Sequence, residues 1–141
     1  MNFNSSDAPE PVGAYPHARR AGNLLFLSGV GPRTRGSKEI PGVTLDALGN
    51  IVSYDIEKQC HSVFQNVRLI LEASGSRWEN LVDVTVFLTN MKDDFKTFNS
   101  IYAEYFRENQ PCRTTVEVNA LPTPIAIELK CIALVDVISE R

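Results

Sequence analysis

The spacing of apolar residues changes along this chain, and each change marks an element. Leu24, Leu25, Phe26 and Leu27 run without a polar break, which predicts a strand buried on both faces. Ala21-Gly22-Asn23 just before them predicts a hairpin with the segment Pro16 to Arg20, because glycine and asparagine accept the positive φ of a tight turn. From Asp55 to Ser74 the period becomes helical, with Ile56, Cys60, Val63, Val67, Ile70 and Leu71 on one stripe, acidic Asp55 and Glu57 in the first turn, and Gly75 as the stop. Leu81 to Leu88 alternates as a strand, with Val82, Val84, Val86 and Leu88 on one face and Asp83 and Thr85 on the other. A second helix follows, capped by Asp93 or Asp94, with Phe95, Phe98, Tyr102, Tyr105 and Phe106 on an aromatic packing face.

Pro111 delivers the chain to two β-type runs joined by a proline-rich turn. In the first, Arg113, Thr115 and Glu117 alternate with Thr114, Val116 and Val118. In the second, Ile125, Ile127, Leu129, Cys131, Ala133, Val135 and Val137 share one face, opposite Ala126, Glu128, Lys130, Ile132 and Leu134. The order β-β-α-β-α-β-β predicts an α+β two-layer sandwich, a mixed sheet with two helices on one face. The uncovered sheet face would be partly apolar, which predicts a homo-oligomer packed sheet to sheet. Residues 1–12 are polar and proline-broken, and are expected as a loose arm on a single domain spanning 1–141. The segment Gly29 to Asn50 is glycine- and proline-rich without sustained periodicity, as a functional lid or a passive surface loop would be, with a short turn or edge pairing near Leu48 to Val52.

Composition narrows the function classes. A hydrophobic fraction of 43% with 22% charged residues fits a soluble globular chain, and no apolar run is long enough to span a bilayer. The N-terminus lacks a secretory pattern, and Cys60, Cys112 and Cys131 are an odd, widely spaced set, so a cytoplasmic location is expected. With a net charge of -3 and scattered basic residues, no nucleic acid footprint is present.

Neither GxxxxGK[ST] nor GxGxxG occurs, and His17 and His61 stand outside any metal-ligand or triad pattern. Neither a metal nor an organic cofactor is therefore expected. What remains is a capacity to bind carboxylates and move protons. Arg113 offers a permanently charged fork, and Glu128 lies one step from an apolar core that would raise its pKa. Read as lying on neighbouring strands, the two make a candidate small-molecule site. The pattern alone equally fits a surface arginine and the polar half of a half-exposed strand. Cys112, beside Arg113, reads either as a favoured thiolate or as an idle residue.

Pro111-Cys112-Arg113-Thr114-Thr115-Val116-Glu117-Val118, followed by Leu121-Pro122 and Ile127-Glu128-Leu129, resembles the signature of the RidA/YjgF reactive-intermediate deaminase family. Gly13-Ala14-Tyr15, Leu27-Ser28-Gly29, Val63 to Gly75 and Val84 to Thr89 are similar too, so the likeness runs from Gly13 to Val135. The resemblance implies a chorismate-mutase-like fold, a homotrimer, clefts between adjacent subunits, and hydrolysis of enamines and imines without metal or organic cofactor. It gives Arg113 the role of gripping a substrate carboxylate and Glu128 that of orienting or activating water, with Tyr15, Ser28 and Gly29 lining the cleft. Ala14 and Val30 stand where the family often has proline and glutamine. Within the family, the Gly29 to Asn50 segment and the run Asn119 to Glu128 resemble members acting on 2-aminomuconate, a dicarboxylate enamine of aminophenol and nitroaromatic breakdown. For such a substrate, Arg33, Arg35 or His17 would meet the second carboxylate. A general enamine and imine deaminase, a non-enzymatic ligand-binding trimer and an interaction module of another fold are the alternatives.

Overall fold

A computed structural model of the chain describes residues 1–135, with strands β1 (Asn2–Phe3), β2 (Ala18–Ala21), β3 (Leu24–Leu27), β4 (Val43–Leu45), β5 (Ile51–Tyr54), β6 (Leu81–Leu88), β7 (Cys112–Glu117) and β8 (Ile127–Leu134), and helices α1 (Ile56–Ala73) and α2 (Met91–Tyr105). Six strands form one mixed sheet in the order β1-β2-β3-β8-β6-β7, and β4 and β5 pair separately. Only β6 and β7 run parallel, which requires a crossover, and α2 supplies it. Both helices pack on one face of the sheet, so the fold is the expected α+β arrangement.

The core lies between helices and sheet. Leu25 and Leu27 of β3, Val84, Val86 and Leu88 of β6, and Ile127, Leu129, Cys131 and Ala133 of β8 meet Val63, Phe64, Val67 and Leu71 of α1. Phe64 anchors the aromatic seam, 4.5 Å from Tyr105 between ring centroids and edge-on to Trp78 and Phe106. Asp55 caps α1 by accepting from the Glu57 and Lys58 N–H groups, so it stands just outside the first turn where it was expected. The helix closes with the Ser76 N–H on the Leu71 carbonyl.

Several expectations are corrected. Asn90, not Asp93 or Asp94, caps α2; its side chain accepts from the Asp93 N–H, and both acids fall in the first turn. In β6 the register shifts between Leu81 and Asp83, so Leu81 is buried and Val82 faces outward. Strand β3 is buried on one face rather than two: Leu25 and Leu27 are enclosed, while Leu24 is exposed because the other sheet face carries no helix. Residues 1–12 are not loose, since β1 pairs with β2, Ser5 and Ala8 are buried, and the Arg35 guanidinium donates to the Ser5 and Ala8 carbonyls. The long segment after Gly29 supplies β4 and the turn of the β4–β5 hairpin, a turn closed by the Asp46 carboxylate accepting from the Leu48 and Asn50 N–H groups. Val137, expected on the inner face of the last strand, lies outside the described residues.

Candidate functional site

Alternation along β8 sends Ile127, Leu129, Cys131 and Ala133 into the core and leaves Glu128, Lys130, Ile132 and Leu134 on the uncovered face. Beyond the end of β3 the chain stays beside Glu128 through two backbone hydrogen bonds between Val30 and Leu129, at 2.8 and 2.9 Å. This brings Gly29 against the Glu128 carboxylate so closely that a Cβ at position 29 would stand 2.5 Å from Oε2. A side chain at position 29 would push the Glu128 carboxylate out of this place. Val30, standing where the family often has glutamine, is buried in the core.

Glu128 is half-buried. Burial pushes its carboxyl above the ordinary glutamate range, opposed in part by the positive charge of Arg33. Glu128, Tyr15, Gly29 and Arg33 line one cavity of about 120 Å³, closed on another side by the Pro122, Thr123 and Ile125 turn. The structure thus brings four of the residues singled out in the sequence to a single place. Tyr15 presents its ring to the cavity while its hydroxyl accepts from the Val12 N–H at 3.2 Å. Ser28 lines a smaller adjoining space and donates to the Pro16 carbonyl at 2.8 Å.

The three candidates for a second carboxylate separate clearly. His17 is buried; its Nδ1 accepts from the Ser5 N–H at 2.8 Å, which leaves the proton of the neutral ring on Nε2 to donate to the Pro9 carbonyl at 2.7 Å. Arg35 is engaged with the Ser5 and Ala8 carbonyls and the Glu10 carboxylate. Both residues therefore hold the N-terminal segment. The Arg33 guanidinium donates to the Glu10 carbonyl at 2.7 Å and stands in the cavity with Glu128.

Arg113 corrects the sequence picture most. Strands β7 and β8 are not neighbours, because β6 lies between them. Arg113 pairs with Val84 of β6 and Glu128 pairs with Phe87, three residues apart and so on opposite faces of the sheet. The side chain of Arg113 lies on the helix side, its Cζ 4.7 Å from the Tyr102 ring centroid and 5.4 Å from that of Phe98. Its Nη1 donates to Asn99 Oδ1 at 2.9 Å. One copy of the chain cannot bring Arg113 and Glu128 to the same small molecule.

Sequence reasoning missed two supporting residues. Asn99 falls four positions after Phe95 and three before Tyr102, a spacing that would have placed it on the aromatic face of α2. Gln59 is fully buried on α1 and accepts from the Ala126 N–H at 2.8 Å, fixing the start of β8 two residues before Glu128. A polar residue on an apolar helix stripe was the available signal. Among the described residues, no three His, Cys, Asp or Glu side chains are grouped to hold a metal, and no helix is long and apolar enough to cross a membrane.

A mixed six-stranded sheet backed by two helices, with a glycine-enclosed glutamate on its bare face, defines a class that comparison with known proteins identifies. The family model described as Endoribonuclease L-PSP matches residues 5–135. The chain belongs to this family, also called RidA, YjgF or RutC. A RutC family protein of Pyrococcus horikoshii is 39% identical over 132 residues, covering 92% of this chain and 93% of the relative. The chloroplastic Reactive Intermediate Deaminase A of Arabidopsis thaliana is also 39% identical, over 92% of this chain and 63% of its own length. Among solved structures, Escherichia coli TdcF with bound serine superposes with a TM-score of 0.81 at 28% identity, covering 96% of this chain and 99% of that one.

Proposed function

We propose that this protein hydrolyses reactive enamines and imines of 2-amino acids to the 2-oxo acid and ammonia. The observation that carries the reading is Glu128, a half-buried carboxyl raised by desolvation and pressed against Gly29 in a cavity with Tyr15 and Arg33. The deaminase name of the Arabidopsis relative supports it. Arg113 lies on the opposite face of its own sheet, so its proposed partner is the Glu128 cavity of a neighbouring copy. Such a contact joins two different surfaces, and heterologous contacts form rings where their rotation closes. The ring that the family resemblance implies is a homotrimer.

In this reading Arg113 of one subunit holds the substrate carboxylate at two points. The enamine takes a proton from solvent at its β-carbon and becomes the iminium ion. Water adds to the C=N carbon as its proton passes to the Glu128 carboxylate. The neutral carboxyl then returns that proton to nitrogen, the C–N bond breaks, and the hydroxyl proton leaves with ammonia as the carbonyl forms. Proximity and one proton-transfer group suffice for a labile substrate, the proton-transfer group giving roughly 10² to 10⁴-fold beyond the oriented reaction.

A narrower substrate, the dicarboxylate 2-aminomuconate, has one observation in its favour. Arg33 adds a cation to the cavity that holds Glu128, with guanidinium N–H groups beyond the one given to Glu10. The test of both readings is ammonia release from a freshly generated three-carbon enamine monocarboxylate and from 2-aminomuconate, with wild type, Glu128→Ala and no protein. Release from both substrates by the wild type alone supports the general deaminase, and release confined to the dicarboxylate supports the narrower one. Equal rates in all three preparations would leave a ligand-binding protein.

A further inference from the structure

The guanidinium of Arg113 has no carboxylate within ion-pair distance among the described residues. Its surroundings nevertheless fix it. The planar group lies over three rings of α2, with Cζ 5.9 Å from the Phe95 centroid, 5.4 Å from Phe98 and 4.7 Å from Tyr102. Ring faces attract a cation without neutralising it. The remaining directional contact is the bond from Nη1 to Asn99 Oδ1 at 2.9 Å.

Asn99 occupies the interior of α2, where asparagine is a poorer helix former than alanine. Its side chain is exposed, so packing does not explain its presence. An amide oxygen there accepts from the guanidinium and leaves the full positive charge in place. A carboxylate of the same shape would accept equally well but would close an ion pair and fill the fork meant for an anion.

We infer that Asn99 is a positioning residue that aims the Arg113 guanidinium while leaving its charge free for a substrate carboxylate. This rests on the proposed role of Arg113 as the carboxylate grip. In the assembled cleft it makes α2, an element outside the Glu128 cavity, the support of the carboxylate end of the site. The effect is therefore specific to charge on the ligand.

The experiment compares Asn99→Asp, Asn99→Ala and Arg113→Ala with wild type, using ammonia release from an enamine monocarboxylate and inhibition by a 2-oxo acid and by its uncharged amide. Asn99→Asp is expected to raise KM and weaken 2-oxo acid inhibition by about tenfold or more, as expected for loss of a charge-assisted contact. Asn99→Ala should fall between it and wild type. In both, kcat and binding of the amide should stay within about twofold, a split that a general loss of structure would not give. If Arg113→Ala loses activity while Asn99→Asp keeps a wild-type KM and 2-oxo acid affinity, the positioning role is wrong and the grip stands. If Arg113→Ala retains wild-type kcat/KM, the grip itself fails and the inference falls with it.

Discussion

Burial shifts the proton affinity of Glu128 away from that of a free glutamate. Burial raises its pKa in the fold, so the folded protein binds this proton more tightly than the unfolded chain does. The cost of burying its charge is absent below the pKa of an unfolded glutamate, grows as pH rises to the folded value, and is complete above it. Glu128→Gln removes that cost. It should raise Tm at neutral pH, leave Tm unchanged near pH 3, and lower kcat by roughly 10² to 10⁴-fold. Thermal melts at both pH values with initial rates check this, and equal or lower neutral stability with retained activity would contradict it. Wild-type kcat/KM should fall on the acid side at a higher pH than an ordinary glutamate would give. Gly29→Ala should also abolish most activity while the protein still folds, since the new Cβ meets the Glu128 carboxylate at 2.5 Å before it meets anything else. Much of this residue-scale picture was legible, because strict alternation puts Glu128 between the core-facing Ile127 and Leu129. The roles of His17 and Arg35 were not legible, since both bond to main-chain carbonyls of residues 5–9, and the sequence of a polar arm does not reveal where its carbonyls lie.

At the scale of elements, the site depends on segments that periodicity describes least well. The β4–β5 hairpin is tied to the start of α2 by the Tyr54 hydroxyl, which donates to the buried Asp94 carboxylate at 2.6 Å. Burial raises Asp94 above the ordinary aspartate range, and the Tyr54 hydrogen bond opposes the rise. Tyr54→Phe should therefore destabilise the fold by about 1.5–3 kcal/mol, the usual worth of a hydrogen bond to a charged group. Denaturant titration measures it, and an unchanged midpoint would show that the hairpin is not held through this contact. The helices and long strands were legible because their stripes are long and regular. The hairpin was only hinted at by Leu48 to Val52, since its outer residues face solvent and show no alternation. The Val82 bulge was missed because Leu81 to Leu88 still alternates when written as a string, and only pairing with β8 shows the shift.

At the scale of the molecule, the sheet face without helices exposes Leu24, Val116 and Leu134 at 38%, 37% and 44%, with Phe26, Phe87 and Ile132 partly covered among them. A face of this kind favours association, and light scattering should give three times the chain mass, with a monomer contradicting the proposed assembly. The pattern anticipated that open face. It did not anticipate strand order: β7 and β8 are consecutive in sequence, but the parallel pairing of β7 with β6 leaves β6 between them and puts Arg113 and Glu128 on opposite sides. Apolar periodicity sets which face a residue takes, not which strands become neighbours.

The proposed two-subunit site is tested most directly by subunit mixing. Arg113→Ala and Glu128→Gln are each expected to be inactive alone. After the two are unfolded together and refolded in equal amounts, random assembly into a ring places an intact Glu128 opposite an intact Arg113 in about one cleft of four. Recovery of about a quarter of wild-type ammonia release, absent when the two are refolded separately and then combined without exchange, is the predicted result. No recovery in mixed oligomers verified by mass spectrometry would contradict a site built from two subunits.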